Sequence, residues 1–267
     1  MARRLLLNDR KVWLKQYGSS RRRFTLGVLD RLARSLSIEP LRPPPHYSGD
    51  RALSNELRRV KELQAADVNV PDILGQGRAT LLLADIGVSL SSCLKEARSD
   101  KAKRDHLVFM AIDAIAGVHA KGLYLGSPEP RNMTFGNECI GFLDFEEDPG
   151  EVMHRDVAQA RDWLMFVHGV AKFYPEQHVK LAGLLQKGLD RANPDVTRRV
   201  LDAGNRLSRL VSLFWPFGGS EGKIRSALRT LRTLASDTLV AVIVWAGMFS
   251  MDNDAGSLGW NLMGNLL

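Results

Sequence analysis

Apolar residues along this chain follow two different periods. Over the first ninety residues they form short runs separated by turn formers. LLLNDRKVWLKQY, residues 5–17, predicts two short strands around an Asn8-Asp9 turn, with Val12 and Leu14 alternating against Trp13 and Lys15 in the second. RPPPHYSGD, residues 42–50, reads as a loop from its prolines and glycine. In RALSNELRRVKELQAADV, Leu53, Leu57, Val60 and Leu63 recur at helical spacing. VPDILGQGRATLLLADIGVSL then predicts two strands joined by a Gly75-Gln76-Gly77 turn.

From SCLKEA onward the period becomes mainly helical. DHLVFMAIDAIAGVHAKG places Leu107, Ala111, Ile115 and Val118 on one face and ends at Gly122, a residue suited to a helix C-cap. A proline-bearing loop follows, then two strands, NMTF and CIGFLDF, around Gly136-Asn137. Helices joined by short loops are expected from residue 153 to the end. The pattern therefore predicts an α+β chain in three parts. These are a small β-rich lobe over residues 1–88, a larger α-helical lobe over 89–204, and a basic-apolar helical extension over 205–267.

Composition bounds the function without choosing it. With 267 residues, 45% of them hydrophobic, the chain can bury a sizeable core. A net charge of +7 and a pI near 9.6 suit either a solvated basic surface or an anionic partner such as a nucleotide phosphate, a membrane surface or an acidic glycolipid. Cys93 and Cys139 form no zinc pattern, and a reducing compartment is the simplest inference. Three leucines before Asn8 are too few for the core of a signal peptide, which points to a cytoplasmic location. LVAVIVWAGMFSM, residues 239–251, would extend only about 20 Å as a helix at about 1.5 Å per residue, short of a bilayer core of roughly 30 Å. It reads as a buried helix or, with Arg225, Arg229 and Arg232 spaced helically before it, as part of a surface that lies against the inner face of an anionic membrane. Nucleic acid is not expected as a partner.

His154-Arg155-Asp156 spells the tripeptide with which a protein kinase positions its catalytic base, but its surroundings are wrong. Such an aspartate lies five residues before a metal-binding asparagine, whereas Arg161 stands five residues after Asp156. More plausible companions lie upstream. The order is Lys15 on a strand, Glu56 on the next helix, LLLADIGVSL, a helix ending in His119-x-x-Gly122, Asn132 at the end of a loop, and Asp144-Phe145 after a strand. This order resembles the protein-kinase-like fold, most closely the bacterial lipopolysaccharide kinases and the aminoglycoside-phosphotransferase-like proteins, over roughly residues 5–170.

The resemblance implies a task for each matched position. Lys15 would hold nucleotide phosphates and Glu56 would orient that lysine, so the two should meet at salt-bridge distance. Asn132 and Asp144 would ligate magnesium, which takes hard oxygen donors, and should face the same cleft. Backbone groups of Ala84, Asp85, Ile86 and Gly87 would meet the adenine edge of ATP. A buried carboxylate, Asp162 in preference to Asp156, would brace the catalytic loop, and His119 would pack as a structural histidine. One departure divides the reading. Five residues before Asn132 stands Ser127 rather than aspartate, and Ser127 is no general base near neutral pH, although Glu129 lies two residues on. No Gly-x-Gly-x-x-Gly loop precedes the lysine either. Two functions stay open. One is an ATP- and magnesium-dependent phosphotransferase acting on a glycolipid or another hydroxyl acceptor, with Lys15, Glu56 and Asp144 as its catalytic set. The other is a pseudokinase, a binding or scaffold module without turnover.

Overall fold

The computed structural model of the protein describes residues 2–7, 10–18, 38–214, 229–231 and 233, those of 207–214 by backbone alone. It is an α+β structure with two small antiparallel sheets. The first has strand order β1-β2-β4-β3, from β1 (Ala2–Leu7), β2 (Arg10–Gln16), β3 (Ile73–Gly77) and β4 (Thr80–Ala84). Along β4 the buried Leu81 and Leu83 alternate with half-buried Thr80, Leu82 and Ala84. This two-residue period turns one face toward helix α1 (Asp50–Ala65), whose Ala52 and Leu53 join Tyr17, Leu81 and Leu83 in a small core. Each leucine so buried contributes about 1.5–3 kcal/mol.

The second sheet, order β5-β6-β7, comprises β5 (Val88–Ser89), β6 (Met133–Gly136) and β7 (Cys139–Phe142). Helices surround it. They are α2 (Leu90–Glu96), α3 (Lys101–Ala120), α4 (Arg155–Ala171), α5 (His178–Leu189) and α6 (Pro194–Phe214). Two of them are central. α3 starts at Asp100, whose carboxylate accepts from Lys103 N at 2.9 Å. Its buried face includes the predicted Leu107, Ala111, Ile115 and Val118, widened by Val108 and Ile112. Gly122, at φ 74°, ends it as expected, with its N–H donating to His119 O at 2.9 Å. α4 is buried almost all round, from Val157 to Val167, and carries Trp163 and Phe166 into the main core.

Two expected turns move. Gly75-Gln76-Gly77 lies within β3, and the turn is Arg78-Ala79, because a register shift between Ile73 and Gly75 lets the glycines pair with β4. The second hairpin turns at Asn137-Glu138 instead of Gly136-Asn137, both residues at positive φ as a two-residue hairpin loop requires. The apolar run 81–90 is likewise no single strand. β4 ends at Ala84 in one sheet, β5 begins at Val88 in the other, and residues 85–87 cross between them.

Side chains join the two parts. Buried Arg161 of α4 donates to Gly126 O at 3.1 Å and to Pro40 O and Arg42 O at 3.3 Å. Arg59 of α1 donates to Tyr124 O, and Arg58 pairs with Asp148, which also accepts from Tyr124 Oη at 2.5 Å. Helix α1 is thereby tied to the loops on either side of the second hairpin. The apolar run 239–251 and most of the Arg-Leu stretch before it lie outside the described residues. Among the described residues no helix is long and apolar enough to cross a membrane.

Close packing makes α5 a test of the core. A Cβ at Gly188 would lie 2.6 Å from both Ile112 Cγ2 and Trp163 Cη2, whereas one at Gly183 meets nothing within 4 Å. Gly188→Ala is expected to cost about 1–3 kcal/mol by overpacking. Gly183→Ala is expected to be neutral or to stabilise by up to about 1 kcal/mol through helix propensity. Urea unfolding of the two variants measures the contrast, and equal effects would show that Gly188 is not a packing constraint.

Candidate functional site

Between the two sheets lies a cavity of about 370 Å³. Its polar lining includes Lys15 from β2, Glu56 from α1, Arg131 and Asn132 just before β6, and Asp144 and Glu146 just after β7; Leu83, Ala84, Ile86 and Gly87 close one side. Each polar group is placed by its element. The alternation of β2 turns Lys15 toward the cavity, and Glu56 sits one turn after Leu53 on the buried face of α1.

Lys15 is the electrostatic centre. Its Nζ lies 2.7 Å from Glu56 Oε2, 2.7 Å from Asp144 Oδ1 and 3.0 Å from Glu146 Oε1. Burial opposes the charge on Lys15, but the carboxylates of Asp144, Glu56 and Glu146 outweigh it and hold its pKa well above the ordinary lysine value. Burial likewise pushes the Glu56 carboxyl above its ordinary value, against the pull of Lys15. Tyr17 completes the arrangement by donating its hydroxyl to Glu56 Oε2 at 2.5 Å. Burial and then Glu56 raise the Tyr17 hydroxyl, so it stays protonated and able to donate.

Asp144 is the most exposed of the three carboxylates around Lys15. Its side chain is 49% exposed, and Lys15 neutralises it. Its backbone is left-handed, φ 69°, a region that aspartate tolerates better than most residues. Asn132 reaches the same cavity, held by its own side chain: Asn132 Nδ2 donates to Ser127 O at 3.1 Å, and Leu143 N donates to Asn132 O at 2.8 Å. Glu56, Asp144 and Glu146 offer carboxylate oxygens within 4.8 Å of one another, a spacing one cation could bridge. Glu146 was not singled out from sequence, although the acidic run after Phe145 was its signal.

The stretch Ala84–Gly87 has most of its amides committed. Ala84 N donates to Asp72 O, Asp85 N to Lys11 O, and Gly87 N to Asp85 Oδ1 at 2.9 Å. Asp85 also accepts from Trp13 Nε1 at 3.2 Å. Among the described residues the Ile86 N–H is the amide of this stretch left for a ligand.

Behind the cavity, Asp162 of α4 is fully buried and accepts three hydrogen bonds. Leu125 N and Gly126 N each donate at 2.7 Å, and His119 Nε2 lies at 2.9 Å. The loop that ends in Asn132 is braced by this carboxylate. His154-Arg155-Asp156 opens α4 on another surface, away from the cavity. Glu129, in the loop before Asn132, is buried. It packs beside Gly169 of α4, pairs with Arg131 Nε at 3.2 Å, and is pushed above the ordinary glutamate pKa by burial.

No protein-family model matches the chain. It is similar, at 26% identity over 132 residues, to an uncharacterized protein of Haemophilus influenzae; the match takes in 49% of this chain and 52% of that protein. The chain thus spans about half the length of the curated relative it matches.

The buried pair gives a pH signature. Because the folded pKa of Glu56 is raised, the native state retains a proton that the unfolded chain has already released, and stability falls as pH rises through that window. Lys15→Met removes the cation and extends the window upward. The variant is expected to lose about 3–5 kcal/mol near neutral pH. The loss should shrink as pH falls toward the ordinary glutamate value. Urea unfolding across pH checks it, and a pH-independent loss would assign the effect to packing instead.

Proposed function

We propose that the cavity binds ATP with magnesium, on a protein-kinase-like architecture related to the bacterial lipopolysaccharide kinases, and that the protein is a phosphotransferase for a glycolipid or other hydroxyl acceptor. One observation carries the reading: Lys15, anchored by buried Glu56, faces Asp144 and Asn132 across a single cavity. Phosphoryl transfer asks the protein mainly for positioning and charge neutralisation, and these groups supply both. Lys15 would leave Asp144 for the phosphates, and Asp144, Asn132 and Glu146 would hold the metal, which would supply further positive charge there. The cation would offset the carboxylates that now converge on Lys15.

A second reading rests on the base. Ser127 stands where the resemblance leads one to expect a carboxylate, and Glu129 is engaged by Arg131, which lines the cavity. A pseudokinase that binds nucleotide without turnover satisfies both facts. The two readings share a binding step and part at turnover.

Thermal unfolding with ATP and magnesium, separately and together, tests the shared step. At a ligand concentration of about one hundred times Kd, stabilisation should reach about 2.7 kcal/mol. Asp144→Asn should abolish the magnesium-dependent part, and Lys15→Ala should weaken ATP with or without metal. If the wild-type protein shows no shift with saturating ATP and magnesium, both readings fail. Loss of turnover in Glu129→Gln, with binding kept, would favour the enzyme with a rearranged loop.

The acceptor proposal extends to location. The arginine-leucine stretch before residue 239 is proposed to hold the protein against an anionic membrane, where basic residues contribute about 1 kcal/mol each. In liposome flotation the protein should rise with anionic vesicles and be released by salt. Equal recovery with neutral vesicles, or none with either, would refute peripheral attachment.

A further inference from the structure

A second cavity, of about 340 Å³, lies on the far side of the Asp162 brace. That size is near the lower end for small-molecule sites, roughly 300–1,000 Å³. Its polar walls are His119 at the end of α3, Arg155, Asp156 and Gln159 in the first turns of α4, and Arg191 and Asn193 in the α5–α6 turn. None of these groups takes part in the cleft described above.

His119 points to a ligand. Its side chain is only 4% exposed, and its Nδ1 is buried with no hydrogen-bond partner. Asp162 already accepts from two backbone N–H groups, so it faces His119 as a carboxylate, and the Nε2 between them must carry the proton. In the neutral ring Nδ1 is therefore a lone pair on the other side, which needs a donor. A buried acceptor left unpaired is costly, so a hydroxyl group that reached it would be bound with advantage.

The other walls call for an anion. Arg155 and Arg191 are 60% and 52% exposed, and their present partners are Asp156 at 3.5 Å and Asp113 at 2.7 Å. Exposed pairs of this kind hold weakly, so both guanidinium groups can turn to a ligand at little cost. The N-cap residue of α4, His154, makes no side-chain cap hydrogen bond, which leaves the positive end of a 17-residue helix at the same wall. Each arginine is matched by one carboxylate, so an anion that displaced Asp156 and Asp113 would meet two guanidinium groups.

We propose that this cavity is an effector site for a small hydroxylated anion of the sugar-phosphate class. Arg155 and Arg191 hold the phosphoryl oxygens, and a ligand hydroxyl donates to His119 Nδ1. The opposite nitrogen of the same ring bonds Asp162, which holds Leu125 N and Gly126 N, so occupancy stiffens the loop that leads to Asn132. The site stands apart from whatever the cleft binds, and its test needs no nucleotide.

Calorimetric titration of the protein with glucose 6-phosphate, inorganic phosphate and glucose checks the chemistry. Glucose 6-phosphate is expected to bind, inorganic phosphate at least tenfold more weakly, and glucose not at all. The double variant Arg155→Ala/Arg191→Ala, which changes exposed side chains only, should lose at least tenfold in affinity, about 1.4 kcal/mol. Asp144→Asn, in the other cavity, should leave this binding unchanged. Hydrogen exchange at the Leu125 and Gly126 amides should slow when glucose 6-phosphate is bound. The proposal is overturned by the absence of heat at millimolar glucose 6-phosphate, by unchanged affinity in the double variant, or by loss of binding in Asp144→Asn. Equal affinity for inorganic phosphate, or binding that leaves the two amides unchanged, overturns it as well.

Discussion

A single carboxylate fully withdrawn from water organises this protein. Asp162 sits in the middle of a helix buried on nearly every side, where an unpaired charge would cost several kcal/mol. Two backbone amides and one imidazole satisfy it, and all three come from the end of α3 and the loop after it. That loop has no regular structure of its own. Its conformation is held because its amides are the donors that satisfy the carboxylate. Arg161, the neighbour of Asp162 on the same helix, binds the carbonyl of Gly126 and so holds the same residue from a second direction. The helix thereby positions an irregular segment, and the segment positions Asn132.

Lys15 presents the converse case, an excess of one sign instead of a balance. Three carboxylates converge on one ammonium group, which leaves the centre negative. Only Glu56 is fully buried and must be paired; Asp144 and Glu146 retain access to water and can be exchanged for other partners. The permanent part of the centre is therefore the Lys15–Glu56–Tyr17 unit that joins the first sheet to α1. Its labile part comes from the segment after β7. This division fits a site in which the sheet and helix provide a fixed cation while the loop adjusts to what arrives.

Much of this was legible in the sequence where one residue has one dominant constraint. The amphipathic spacing of α1, the alternation in β2 and the Gly122 cap follow from local periods, and each is found within a residue or two of its expected place. Lys15, Glu56, Asn132 and Asp144 were identified by their order and contexts, and they line a common cavity. The turns were read wrongly because glycine signals a turn but also tolerates a bulged strand, and the pairing with β4 decides between these. Residues 81–90 were read as a continuous strand because an apolar run carries no mark of which sheet it joins. Glu146 was missed because its role depends on the direction the chain takes after Phe145, and no periodicity reports that. His119 was read correctly as a packed histidine, but the unpaired nitrogen on its far side depends on a tertiary contact.

The left-handed backbone at Asp144 has a consequence for how sequence variation at this position should be understood. With φ at 69°, the conformation favours glycine, asparagine and aspartate whatever the cavity contains. Selection for the turn alone would keep the position within that small set. An aspartate retained here among descendants is consequently weak testimony to a retained metal, because chain geometry by itself would preserve it. A glutamate at Asp144 would be more telling: it keeps the charge but not the conformational preference, so a lineage that carried it would reveal that charge had outweighed the backbone.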